Sequence, residues 1–196
     1  MARPSIKLQR REEILDAFES CVIRHGLTGA TLQKVADESG LARPLIHHNV
    51  GSRDELLEAL LERLDLRYEQ EREEFRQHLP GSDRCRAMLD IMFDHRYATS
   101  SHEGQLYQAL SIGAEEHPNL QRSLNRWYGS LLADIEYELL DEHPQAETTD
   151  VRAIATGVIA LYFNAESMAL VTDRRTVFQD SKRAAQRLVE TLKWNG

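Results

Sequence analysis

Apolar side chains recur three and four residues apart along most of the chain. No stretch alternates residue by residue as a half-buried strand would. Between residues 9 and 25, Ile14, Ala17, Phe18, Cys21 and Val22 share one helical face, and Gly26 stops the run. A second helix is predicted from its N-cap Thr31 to about Gly40, a third over 43–49, and a fourth from Ser52 to about His78. Ser52 and Glu55 have the spacing of a capping box, in which side chain and backbone at a helix start bond each other reciprocally. Pro80-Gly81-Ser82 is the clearest interruption. Beyond it the pattern predicts helices over 83–98, 103–116, 119–142, 150–172 and 177–194. The breaks fall at Ser100-Ser101, Pro118, Pro144 and Asp173-Arg174-Arg175. The expected fold is all-α with about nine helices, without repeats or low-complexity segments.

The most informative stretch is 31–46. Two short helices joined by a tight turn must cross steeply, as in a helix-turn-helix. Ala36 is small enough for the second helix to approach the third. Gly40 stands where positive φ is convenient, and Val35, Leu41 and Ile46 can face the first helix. The same spacing also suits a pair of ordinary core helices. Charge adds a second signal. The chain carries a net −8, yet residues 1–53 hold eight Lys or Arg against six Asp or Glu. This leaves sixteen against twenty-six, a net of −10, for residues 54–196. A basic head on an acidic body implies that only the head meets a polyanion.

A longer run of residues carries a family resemblance. It comprises 11–18, His25-Gly26, Ala30-Thr31, Val35-Ala36, Gly40-Leu41 and 51–56. With these residues, 10–60 resembles the DNA-binding domain of the TetR/AcrR family of transcriptional regulators. The resemblance implies a three-helix head over 1–53, a connecting helix over 52–78, and a helical body over 54–196 that binds a ligand and dimerises. Helix three would then lie in the major groove. Arg43 is the leading base reader, because a guanidinium can bond guanine O6 and N7 together. Pro44 and Leu45 can offer apolar contact to a thymine methyl. His47 stands at the family's usual phosphate-binding tyrosine, with His48 and Asn49 following, and Arg53 at its usual lysine. Thr31 and Gln33 would anchor the neighbouring strand, and Lys7, Arg10 and Arg11 could reach a phosphate or the minor groove. Three positions depart from the pattern. Ala42 replaces a capping serine or threonine, Val50 a phenylalanine, and His47 the tyrosine, which makes that contact dependent on the imidazole's charge.

Within 150–172, Val151, Ile154, Val158, Leu161, Tyr162, Ala165 and Met168 form one stripe. Ala153, Gly157, Ala160 and Asn164 form a second, and Ile159, Phe163 and Leu170 a third. A helix apolar nearly all round must be covered on several sides. By family analogy the last two helices therefore form a homodimer, placing two heads about 34–36 Å apart on an inverted-repeat operator. Met92, Phe93, Tyr97, Tyr107, Trp127, Tyr128, Tyr162, Phe163 and Glu166, together with Met88, are candidate linings for a small-molecule effector pocket, since such sites are apolar with few polar groups. The same side chains would equally make an ordinary core.

Several classes are excluded or disfavoured. Two cysteines, Cys21 and Cys85, cannot form a disulfide framework or a four-thiolate zinc site. Cys85, between Arg84 and Arg86, is a lesser candidate for a redox thiol. Arg152, Asn164 and Glu166 interrupt the longest apolar run, so no membrane span is expected. The basic N-terminus lacks a signal-peptide core, which points to the cytoplasm. No phosphate loop, dinucleotide fingerprint, nucleophile elbow or zinc-protease motif is present. His95, His102 and His117 are expected in surface or capping roles, and neither a metal nor a cofactor is anticipated. The expected function is a sequence-specific DNA-binding regulator, a repressor released by an effector and not an enzyme. The alternative is a helical protein-interaction or small-molecule-sequestering module whose head does not bind DNA.

Overall fold

The computed structural model describes residues 6–95 and 101–194. In chain order its α-helices are α1 (Ile6–Gly29), α2 (Leu32–Ser39), α3 (Arg43–Val50), α4 (Arg53–His78), α5 (Arg84–Met92), α6 (Ser101–Ile112), α7 (Pro118–Glu142), α8 (Thr148–Met168) and α9 (Arg174–Glu190). Short 3-10 turns follow α6, at Ala114–Glu116, and α9, at Thr191–Trp194. Among the described residues no strand occurs. The regular part of α1 ends where expected, at Gly26, whose φ of 69° an L side chain rarely adopts.

Differences from the expected boundaries have local causes. The α5 helix stops at Met92, where Phe93 leaves the helical region and closes the last turn with its own N–H. Helix α8 ends at Met168, four residues early, because 169–172 fold back as turns on Ser167 and Met168. Helix α9 starts at Arg174 because Asp173 is its N-cap, accepting from the Thr176 N–H at 2.8 Å. Tyr97 lies outside the described residues.

The chain forms two compact units, 1–70 with 105–125, and 71–104 with 126–196. Packing thus joins into each unit segments that are distant in sequence. In the first unit Ile14, Phe18, Val22, Val35, Ile46, Leu56 and Leu60 are fully buried together with Leu106, Leu110 and Leu120. An ideal Cβ at Gly113 would stand 2.9 Å from Leu27 Cδ2, so this position is seated on the head's own core. Helices α1 and α4 are also cross-braced. Buried Glu19 receives Arg67 at 2.8 Å and Arg63, which in turn reaches Asp16 at 2.7 Å and Glu12 at 3.2 Å.

In the second unit α8 and α9 pair as a helical hairpin, tight enough that a Cβ on Gly157 would lie 3.0 Å from Leu188 Cδ1. Val151, Val158, Ala165, Phe178, Ala185 and Val189 build its core with Met88, Phe93, Ile135 and Leu139. Asp134 on α7 accepts from Arg72 at 2.6 Å and Arg76 at 2.7 Å. Arg84 grips Glu138 with two bonds, at 2.6 and 2.7 Å.

Candidate nucleic-acid interface

The interface begins with how α2 and α3 start and stop. Thr31 has extended backbone and its hydroxyl accepts from the Lys34 N–H at 3.4 Å. Gly40 closes α2 in the left-handed region, with φ 68°. Ala42 precedes α3 without any side-chain cap, and Pro44 occupies the first turn, where its missing N–H leaves no helical bond unmade. Ile46 and Val50, four apart, are buried on one face. Arg43 and His47, also four apart, are exposed on the other, with Pro44 and His48. This is the division a reading helix needs: one side anchored, one side free.

The start of α4 closes the arrangement. The Ser52 N–H donates to Glu55 Oε2 at 2.7 Å, and the Glu55 N–H donates to Ser52 Oγ at 3.2 Å. The Glu55 carboxyl is held below the usual carboxylate range by the Ser52 backbone N–H first, then the Ser52 side chain. Gly51 stands at φ 76°, which strains any L side chain, and a Cβ there would also displace the Glu55 carboxylate. Around this corner lies an open hollow of about 480 Å³ lined by Leu32, Arg43, Pro44, His47, Ser52 and Arg53. Leu32 and Ser52 were not among the residues expected there. Ser52 could have been read from the capping box, and Leu32 from its place just after the α2 cap.

The remaining predicted contacts are differently placed. Arg43 makes no hydrogen bond or ion pair among the described residues, so its whole guanidinium is available. Arg53 turns inward instead: Nη2 donates to Leu27 O at 2.5 Å and Nε to Ala30 O at 3.4 Å. It therefore braces the α1–α2 corner, and part of its donor set is used within the head. Gln33 donates to Asp37 at 2.8 Å, and Asn49 donates to Leu45 O at 2.8 Å, while Leu45 is half-buried. His47 is exposed, and its Nδ1 lies 2.9 Å from Gly51 O. On α1, Lys7 is exposed, whereas Arg11 is partly neutralised by Glu62 at 3.6 Å.

The proposed pocket residues are divided between the two units. Tyr107 belongs to the first unit. In the second, Phe93, Tyr162, Phe163 and Trp127 form a continuous aromatic chain with centroid spacings of 6.0, 5.7 and 5.5 Å. Met92 and Tyr128 pack partly buried on the same core, and Glu166 is half-buried. Cys85 is buried, donates its thiol to Glu138 O at 2.9 Å, and is pushed far up in pKa by burial, then by Glu142. A redox thiol needs the opposite environment. Among the described residues no three His, Cys, Asp or Glu side chains are grouped to hold a metal ion. Among the same residues no helix is long and apolar enough to cross a membrane.

An α2–turn–α3 corner backed by α1 and α4, with the reading face of α3 outward, defines a helix-turn-helix protein. Residues 14–60 match the family model of bacterial regulatory proteins, tetR family. The chain is 23% identical over 167 residues to the HTH-type transcriptional activator FasR of Mycolicibacterium smegmatis, spanning 85% of this chain and 74% of FasR. It is 26% identical over 165 residues to the HTH-type transcriptional regulator BetI of Stenotrophomonas maltophilia, spanning 82% and 81%. The fold matches that of a TetR-family transcriptional regulator from Cytophaga hutchinsonii, with TM-score 0.73, 16% identity, and coverage of 97% and 98%. It also matches a TetR transcription regulator from Haloarcula marismortui, with TM-score 0.70, 16% identity, and coverage of 94% and 98%. Residues 14–60 are thus similar to the amino-terminal domain of the tetR family of bacterial regulatory proteins, and the whole chain shares the fold of its solved members.

Proposed function

We propose that this regulator acts in the cytoplasm as a homodimeric repressor, binding an inverted-repeat operator and leaving it when a small-molecule effector occupies the second unit. The observation that carries the reading is the exposed Arg43 at the first turn of α3, without a partner among the described residues, beside an open hollow that also presents His47. In this reading Arg43 bonds a guanine edge, Pro44 and Leu45 touch a thymine methyl, and His47, His48 and Asn49 lie along the backbone. Thr31, Gln33 and Arg53 face the neighbouring phosphates, with Arg53 also serving as a brace.

The homodimer is proposed to form through α8 and α9. Ala153, Ala160 and Asn164 are exposed in the single chain, with Met168, Leu170 and Val171 following at the end of the helix, the last of these 74% exposed. Small side chains flanked by exposed apolar ones suit close approach of a second helix pair. The effector would sit among Met92, Phe93, Trp127, Tyr128, Tyr162, Phe163 and Glu166, where aromatic faces can enclose an apolar group and one carboxylate can orient a polar one.

Selection from a random duplex library tests the reading directly: a two-fold symmetric consensus is expected. Recovery of no preferred sequence would support the alternative of a head that does not bind DNA. The sign of regulation follows from in vitro transcription on a promoter carrying the selected site. Reduced transcript is expected, and an increase would place the protein with FasR, which is named as an activator. An effector must bind the DNA-free dimer better than the bound one, so operator and effector weaken each other reciprocally.

A further inference from the structure

We propose that His47 engages operator phosphate as an imidazolium donating from Nε2, so that each head takes up a proton when it binds DNA. This rests on the operator-binding reading above. The Gly51 carbonyl, 2.9 Å from Nδ1, can only accept, so Nδ1 must carry a hydrogen. In the neutral ring the exposed Nε2 is then an acceptor with a lone pair turned outward. A phosphate oxygen is also only an acceptor, and the two repel. Adding one proton to Nε2 converts the contact into a charge-assisted hydrogen bond.

The charged groups facing His47 are Arg43 on α3 and Arg53 and the ionised Glu55 on α4; the two guanidiniums oppose a proton on the ring and the carboxylate favours it, while α2 contributes only Leu32 there. Glu55 is occupied by the Ser52 N–H at 2.7 Å, so it stays in place as a nearby negative charge rather than closing over the ring. Bonding to Gly51 O fixes the ring plane, which makes Nε2 a directed donor once protonated.

The test uses the intact protein and the duplex recovered by selection, with affinity measured from pH 8.5 to pH 6 at constant ionic strength. Affinity is expected to rise by about tenfold per head as pH falls. His47→Tyr, a donor at every pH in this range, is expected to bind with that dependence removed, whereas His78→Gln, at the carboxy-terminal end of α4, should retain it. Should the tyrosine variant fail to fold, His47→Gln carries the same comparison. Calorimetry of the unaltered protein at pH 7, in two buffers of unlike ionisation enthalpy, should report proton uptake on binding. A pH dependence surviving in His47→Tyr, or none in the unaltered protein, would overturn the proposal. Affinity that falls with pH would overturn it too, and would instead assign neutral Nε2 to a base amine. If no duplex is selected at any pH, the operator reading fails and this inference fails with it.

Discussion

In the proposed interface Arg43 is free for DNA because the head asks nothing of it: it is exposed, and no described side chain or carbonyl holds it. Arg43→Ala is expected to leave the thermal transition in place while weakening the selected operator by about 1–3 kcal/mol and relaxing preference at one base pair, measured by titration against single-site variants. Arg53 invites the opposite expectation. Arg53→Ala removes bonds to Leu27 O and Ala30 O, so the melting temperature should drop as well as the affinity. At Cys85, burial and the bond to Glu138 O predict that iodoacetamide at pH 8 leaves the native thiol unmodified and reacts only on unfolding. Position is legible in the sequence at this scale, but employment is not. Arg43 and Arg53 read as members of the same interface, while the inward turn of Arg53 depends on carbonyls 23 and 26 residues away.

Elements begin and end on signals that act over three or four residues, which is why Gly26, Thr31, Gly40 and the Ser52–Glu55 box are readable in the amino-acid sequence itself. Asp173 reads there as part of a turn rather than as a cap, although Thr176, the residue whose N–H it accepts from, stands only three positions on. The Gly51 requirement is equally local. Gly51→Ala puts a side chain at a positive φ and pushes the Glu55 carboxylate off the Ser52 N–H, so the α4 box should weaken. Denaturant melts are expected to show a loss above about 1 kcal/mol, beyond the ordinary glycine-to-alanine difference. Between elements, magnitudes separate two ion pairs. Arg11–Glu62 is solvated, and Arg11→Ala should cost under about 1 kcal/mol. Arg63→Ala strips one partner from buried Glu19 and should cost about 3 kcal/mol, read from denaturant midpoints at constant slope. The residues of that brace stand at 12, 16 and 19 on α1 and 63 and 67 on α4, a helical spacing visible in the sequence, but nothing local says that the two faces meet.

For the molecule as a whole, charge and pairing set the expectations. On the proposed α8–α9 homodimer, Ala160→Glu would place like charges across the two-fold contact, so sedimentation should show monomers, and operator affinity should fall even though the head is untouched. Acid acts on the second unit through Asp134. Burial raises its pKa, but hydrogen bonds from Arg72 and Arg76 outweigh this and hold the carboxyl below its usual range. A group depressed in this way stabilises fully above its unfolded value, about 3.9, and that contribution disappears as pH falls through the lower folded value. Melts from pH 6 to pH 2.5 should therefore be flatter for Asp134→Asn than for the unaltered chain. The packing of 105–125 against the head is the least legible feature of all, since leucines at helical spacing announce a core without saying whose. Its consequence reaches beyond this one protein. A graft of this head onto a foreign body, cut after residue 53, would leave behind Leu106, Leu110 and Leu120, each fully buried in the donor. At about 1.5–3 kcal/mol apiece, these three account for as much as a small domain's entire stability. A chimaera that keeps its specificity must transplant two separate lengths of chain, and recombination that exchanges only the first should yield a reader too unstable to survive.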